Sequence, residues 1–192
     1  MKNKIKVSAE ISARHLHLAK EDLEALFGVG FELSSLKALS QEGEFAASEK
    51  ITIATPKDKI ELVRILGPLR KKTQVEISET DALKLGLNPP VRESGDLKGS
   101  SGITLIGPKG SVELKEGVII AQRHIHTSPT DAVKFNLKDK QIVSIKFKGE
   151  RSMTFHNVVV RVAPNFVWKL HLDTDEANAA GILGGEEGEV VV

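Results

Sequence analysis

Residues 121–132, AQRHIHTSPTDA, repeat the pattern of residues 12–23, SARHLHLAKEDL: an arginine, two histidines two positions apart, a short polar stretch, and an aspartate five positions after the second histidine. In an extended strand, residues two apart lie on the same face, so the imidazoles of each pair point the same way. After the strand, Ser128 and Asp131 have the spacing of a helix N-cap and an acid at the third helical position, and Pro129 suits the first. Each copy therefore reads as a strand carrying a histidine pair that runs directly into a short capped helix.

The same unit occurs twice more. Setting the acids Asp22, Asp81, Asp131 and Glu176 in register and stepping back five positions gives His17, Glu76, His126 and His171, all residue types that bind metals. Helical patterns follow each, over residues 18–28, 78–87, 128–137 and 173–181. Ser78 with Asp81 forms another cap, and Gly28, Gly86 and Gly181 stand where three of the helices end. In three of the four units a hairpin comes first. Residues 50–66, 102–121 and 142–162 are each two β-branched runs separated by a polar turn. The expected fold class is mainly β with short helices, built by internal duplication, with each unit's last strand ending in a ligand-type side chain.

Composition removes several function classes. Across 192 residues, 27 Lys and Arg nearly cancel 26 Asp and Glu, and seven Phe and one Trp are all the rings that could stack on bases. Without a basic excess or an aromatic platform, no nucleic-acid partner is expected. No segment approaches the roughly 20 apolar residues that span a bilayer, so no membrane partner is expected either. The absence of cysteine excludes a disulfide framework, a thiolate zinc site and a thiol nucleophile, leaving His and carboxylates for any metal.

His15 with His17 forms one half-site and His124 with His126 another. His171 would give the second pair a third nitrogen, and Glu76 would complete or bridge the first. Three protein ligands with an open fourth position is the pattern of catalytic zinc, with Co, Ni, Fe and Mn compatible with the same donors. One His-x-His on a strand is more often a surface pair than a ligand pair. Two such pairs, each behind an arginine and inside a repeat, favour ligation over the alternative of purely structural duplication. His156 has no counterpart in the repeat and reads as a surface histidine. Arg14 and Arg123, next to the pairs but on the opposite strand face, read as structural partners of Asp or Glu.

SARHLHL, GPLRKKTQVEIS, NPPVRESGDLKGSSGITLIGPKGSVEL, GVIIAQRHIH and LHLDTDEANAAG, in this order from about Lys4 to about Gly181, resemble the PduL-type phosphate acyltransferases, or phosphate propanoyltransferases. The resemblance implies two small β-barrels capped by short helices, with the N-terminal strand joining the barrel of the C-terminal half: residues 1–13 with 122–192, and residues 14–121. It also implies two metal ions, usually zinc, on His15, His17 and Glu76 and on His124, His126 and His171, the set given by the five-residue offset together with the two histidine pairs. Arg70 falls on the family's phosphate-binding arginine.

The implied reaction is reversible transfer of a short acyl group between coenzyme A and phosphate, giving acyl phosphate and CoA. Arg70 and Glu76 are the expected catalytic residues. Direct transfer in a ternary complex needs no protein nucleophile, in keeping with the lack of cysteine. Arg92 and Lys98, in the loop RESGDLKGSSG, are candidates for the phosphates of CoA, although that loop could equally be a link between barrels. Only MKNKIK precedes the first strand, which leaves no room for the N-terminal extension that packs family members into bacterial microcompartments. The expected location is the cytoplasm, free or within such a compartment, and a role in propanediol degradation or in acetyl-CoA metabolism fits. Exposed barrel edges suit a homodimer. Two competing readings use the same ligands: a dinuclear metallohydrolase, and a non-catalytic microcompartment module with structural metal.

Overall fold

The computed structural model describes residues 4–191, so the first half of the MKNKIK lead lies outside the described residues. The order is β1 (Lys6–Ser12), β2 (His15–His17), α1 (Lys20–Phe27), β3 (Ser35–Ala38), β4 (Phe45–Ala54), β5 (Lys59–Gly67), β6 (Gln74–Glu76), α2 (Glu79–Leu85), β7 (Val91–Arg92), β8 (Ser101–Ile106), β9 (Ser111–Ala121), β10 (His124–Thr127), α3 (Pro129–Phe135), β11 (Ile142–Phe147), β12 (Met153–Val162), β13 (Lys169–Asp173), α4 (Thr174–Ala180) and β14 (Glu187–Val191). The fold is mainly β, with two compact units. The central unit is Ala13–Ala121, and the terminal unit takes the residues up to Ser12 and those from Gln122 onward.

Each unit is a closed ring of strands. In the terminal unit the ring runs β1-β13-β10-β12-β11-β14 and returns to β1. In the central unit β4-β5-β2-β6-β9 is closed by β8, which pairs with both β9 and β4. The two rings match strand for strand. The histidine strand pairs in parallel with β5 or β12 and antiparallel with β6 or β13. β6 then lies parallel to β9, as β13 lies parallel to β1. β1 thus holds in the terminal ring the place that β9 holds in the central one. β3 and β7 are additions to the central ring, pairing with β4 and β9.

Alternation along the strands fills each ring with apolar side chains. Leu16, Ile53, Ile65, Val75, Leu105 and Val118 are buried in the central ring, and Val7, Ile125, Ile145, Val160, Leu170 and Leu172 in the terminal one. The three expected hairpins form, as β4–β5, β8–β9 and β11–β12. The β8–β9 turn also closes a helix: Lys109 N–H donates to the Leu26 carbonyl of α1 at 3.0 Å. That approach demands glycine at both ends of the turn, because a Cβ on Gly107 or Gly110 would lie 2.6 or 2.7 Å from the Leu26 or Ala25 carbonyl oxygen.

All four helices carry their acid at the third position. Ser78 and Ser128 accept from the N–H of Asp81 and Asp131, and Asp173 with Glu176 closes a full capping box. Helix α1 differs, since its N-cap, Ala19, has no side chain to offer. Thr73 stands in: its hydroxyl accepts from the Ala19 N–H at 2.8 Å and donates to Asp22. Three details depart from the sequence reading. α1 begins at Lys20 rather than at Leu18, because capping takes Ala19 out of the helix. β10 and β13 run one and two residues past their histidines, β13 because Asp173 is both its last residue and the cap of α4. The loop RESGDLKGSSG does not link the barrels but joins β7 to β8 inside the central unit. Among the described residues, no helix is long and apolar enough to cross a membrane.

Candidate metal and phosphate site

Strand register builds both ligand trios. His15 lies opposite Glu76 in the antiparallel β2–β6 pair, and His124 lies opposite His171 in the β10–β13 pair. Leu16 and Ile125, between the histidines of each pair, point into the apolar interiors, so the imidazoles face away from them. His15, His17 and Glu76 form one group and His124, His126 and His171 the other, with donor atoms within 4.8 Å of one another in each.

Backbone carbonyls orient one histidine of each trio in the same way. His15 Nδ1–H donates to Ala13 O at 2.9 Å and His124 Nδ1–H to Gln122 O at 2.8 Å. A carbonyl can only accept, so each ring carries its proton on Nδ1 when neutral and presents the Nε2 lone pair to its trio. In the central trio His15 Nε2 is 3.6 Å from Glu76 Oε2, and His17 Nδ1 is buried without a hydrogen-bond partner among the described residues. A buried nitrogen with no partner beside a carboxylate and a second imidazole is a donor set that fits a divalent cation. The terminal trio offers three imidazoles with ring centroids 4.5 to 5.0 Å apart. Phe166 stacks on His126 at 3.8 Å, with the Arg161 guanidinium 5.5 Å from the Phe166 ring centre.

Burial and charge shift the central trio strongly. Burial, helped by His15 and Arg70, lowers His17 to about 3, so it is a neutral donor across the physiological range. For His15, burial pulls downward, but the attraction and hydrogen bond of Glu76 and the Ala13 carbonyl overcome it, and the net shift is upward. Burial alone would raise Glu76, yet His15, His17 and Arg70 together hold it well below the usual carboxylate range. Such perturbation concentrated in one cluster is a common property of functional sites.

Arg70, in the segment between β5 and β6, belongs to this cluster. Its Nη1 donates to Ser94 Oγ at 2.9 Å and its Nη2 lies 3.7 Å from Glu44. Sequence reasoning missed two residues that surround Glu76. Gln74 Nε2 donates to Glu76 Oε1 at 2.5 Å, and Ser94 Oγ donates to the same oxygen at 3.0 Å. Gln74 was within reach of the strand period, since it lies two residues before Glu76 on the same face. Nothing local marks Ser94, which the β7–β8 loop brings in. Arg92 and Lys98, on either side of it, are exposed, and Arg92 pairs with Asp96 at 3.0 Å.

Arg14 and Arg123 pair with the acids at the third helical position of α2 and α4: Arg14 with Asp81 at 2.7 Å and Arg123 with Glu176 at 2.7 Å. Both are thus the structural partners expected. His156 is exposed, with Nδ1 2.8 Å from Ser144 Oγ.

Two six-stranded barrels of matching strand order, each with a trio of donor side chains at the same register and one with an arginine beside its trio, define a class of duplicated β-barrel protein with paired candidate ligand sites. The phosphate propanoyltransferase family model matches residues 8–183. The phosphate propanoyltransferase of Thermotoga maritima is 54% identical over 177 residues, covering 92% of this chain and 84% of its own. That of Listeria monocytogenes is 50% identical over 185 residues, covering 96% and 87%, and that of Priestia megaterium 54% over 182, covering 95% and 84%. The chain belongs to the phosphate propanoyltransferase family and is an acyltransferase.

Proposed function

We propose that this enzyme transfers a short acyl group reversibly between coenzyme A and inorganic phosphate, with one divalent cation, zinc by donor type, held by His15, His17 and Glu76 and a second by His124, His126 and His171. The observation that carries the reading is the guanidinium of Arg70 beside a buried three-donor cluster, in a chain matched by the family over nearly its whole length. Bound cations would supply Lewis-acid stabilisation of the oxyanion and of the departing thiolate. Arg70 supplies a planar fork that orients phosphate and offsets its charge. Glu76 and the two histidine pairs hold their donors in fixed geometry, so little reorganisation accompanies the reaction. In the forward direction a phosphate oxygen bonds to the thioester carbonyl carbon while the carbon–sulfur bond breaks and CoA leaves as thiolate. Arg92 and Lys98, both exposed, on β7 and the loop after it, are the residues proposed to meet the phosphates of CoA.

The test is release of CoA thiol from acetyl-CoA and propanoyl-CoA, with and without phosphate, on protein of counted zinc content. The expected result is strict phosphate dependence that is lost on chelation. Equal release without phosphate would mean a metallohydrolase, and no release from the zinc-loaded protein would mean a non-catalytic module. His126→Ala is expected to abolish turnover and reduce the bound zinc from two ions to one. The same reading carries a homodimer and a cytoplasmic or microcompartment location, checked by sedimentation and by fractionation of the source cells.

A further inference from the structure

Ser94 has one proton and two acceptor positions, and the structure uses all three. Its Oγ accepts from Arg70 Nη1 at 2.9 Å and from Gln74 Nε2 at 2.8 Å, and donates to Glu76 Oε1 at 3.0 Å. The directions follow from chemistry. A guanidinium has only donors, and the amide of Gln74 is fixed because the Gly95 N–H donates to its Oε1 at 2.7 Å, which leaves Nε2 for Ser94 and Glu76. The serine proton therefore has one destination, the carboxylate. Gln74 and Ser94 together occupy Glu76 Oε1, so Oε2 is the oxygen on the side of His15.

The duplication indicates what this web is for. The segments between matching strands, residues 68–73 and 163–168, have the same length, so Asn165 stands at the place of Arg70. Gln74 lies opposite His17, and Lys169 takes that register position opposite His126. The terminal unit forms its strand frame and its trio with none of Arg70, Gln74 and Ser94. A barrel of this kind does not require the web.

We propose that Ser94 is a positioning residue for the phosphate half of the reaction, its hydroxyl locking the guanidinium of Arg70 and the carboxylate of Glu76 into one arrangement, with Gln74 fixing the hydroxyl in turn. Resting on the phosphate acyltransferase reading above, this makes the β7–β8 loop part of the phosphate site. Glu76 is held by hydrogen bonds from outside the trio, a kind of support whose loss costs metal sites about 10- to 100-fold in affinity.

The test compares Ser94→Ala, Ser94→Thr and Gln74→Met with the unmodified enzyme in three readouts: steady-state thiol release with phosphate and acyl-CoA varied separately, zinc affinity by competition with a chromophoric chelator, and thermal unfolding. For S94A the expected result is a phosphate KM raised about tenfold with the acyl-CoA KM within about twofold, and weaker binding of one of the two zinc ions by about tenfold. S94T, which retains the hydroxyl, restores both, and Q74M reproduces the S94A pattern. An unchanged phosphate KM and zinc affinity in S94A, or S94T as impaired as S94A, would overturn the proposal. Loss of the folded state in both S94A and Q74M would also overturn it, by making the web structural. If the unmodified enzyme shows no phosphate-dependent release, the functional reading fails on its own, and zinc affinity still decides whether Ser94 positions Glu76.

Discussion

Arg14→Ala tests whether the arginine before the first histidine pair ties the histidine strand to helix α2, which follows the strand of Glu76. Asp81 is 3% exposed, and both its oxygens bind Arg14, Oδ2 from Nε and Oδ1 from Nη2, each at 2.7 Å. This is the two-pronged geometry in which charge-assisted hydrogen bonds are strongest. Removing one partner of a fully buried pair costs about 3–5 kcal/mol. The Arg14 side chain is 45% exposed, however, so solvent screening reduces the expected loss to about 2–3 kcal/mol. In a chain of this size that corresponds to a fall in Tm of about 5–10 °C. Arg14→Lys keeps the charge but not the fork and should lose about half as much. The assay is urea denaturation of R14A, D81A and the double variant, with the coupling energy taken from the cycle. A loss below about 0.5 kcal/mol in R14A, or a coupling near zero, would refute the reasoning and make the pair an ordinary surface contact.

Thr73→Val keeps the shape of residue 73 but removes the hydroxyl that joins the Ala19 N–H to Asp22. It should destabilise the protein by about 1–2 kcal/mol in the same assay, the usual worth of an N-cap, and Ser at position 73 should recover most of it. His17→Gln should flatten the acid limb of stability in chelator-treated protein. With the His17 pKa lowered to about 3, the unfolded chain takes up a proton that the folded chain refuses as pH falls below the ordinary 6.5. The contribution of His17 is therefore complete above pH 6.5 and drains away towards pH 3, by up to about 1.4 kcal/mol per pH unit. Parallel acid limbs for H17Q and the unmodified protein, measured by Tm between pH 7 and 4.5, would contradict the buried neutral imidazole.

The positions of the donor side chains were legible because they are locked to local signals. The last strand, the cap and the acid at the third helical position occupy fixed places along a few consecutive residues, so stepping back five from Asp22, Asp81, Asp131 and Glu176 reaches the strand whatever the rest of the chain does. The hairpins were legible for the same reason, each being a turn between two runs adjacent in sequence. Ring closure was legible only through the family resemblance, because the β1–β13 pairing joins residues from opposite ends of the chain and leaves no local trace. The short strands β3, β7 and β14 went unread, β7 being two residues long. Thr73 and Ser94 act on partners 51 and 18 residues away, Asp22 and Glu76. A threonine or serine in a polar loop carries no sign of such a contact until the fold supplies it.

Duplication explains why the two trios have the same geometry and yet differ in chemistry. The strand frame sets where the donor side chains stand, since His15 opposite Glu76 and His124 opposite His171 are one register used twice. The segment before β6 or β13 lies off the ladder, so it can change without disturbing that register. Its last position shows the consequence. Thr73 secures the cap of α1, whereas the corresponding Trp168 packs on Phe135 and donates its indole N–H to the Lys6 carbonyl of β1 at 2.8 Å. Within the same segment the central unit presents Arg70 near the carboxylate of Glu76, while the terminal unit presents Phe166 stacked on an imidazole. The donor sets therefore differ, with two imidazoles and a carboxylate near a guanidinium in the central unit and three imidazoles beside an aromatic ring in the terminal one.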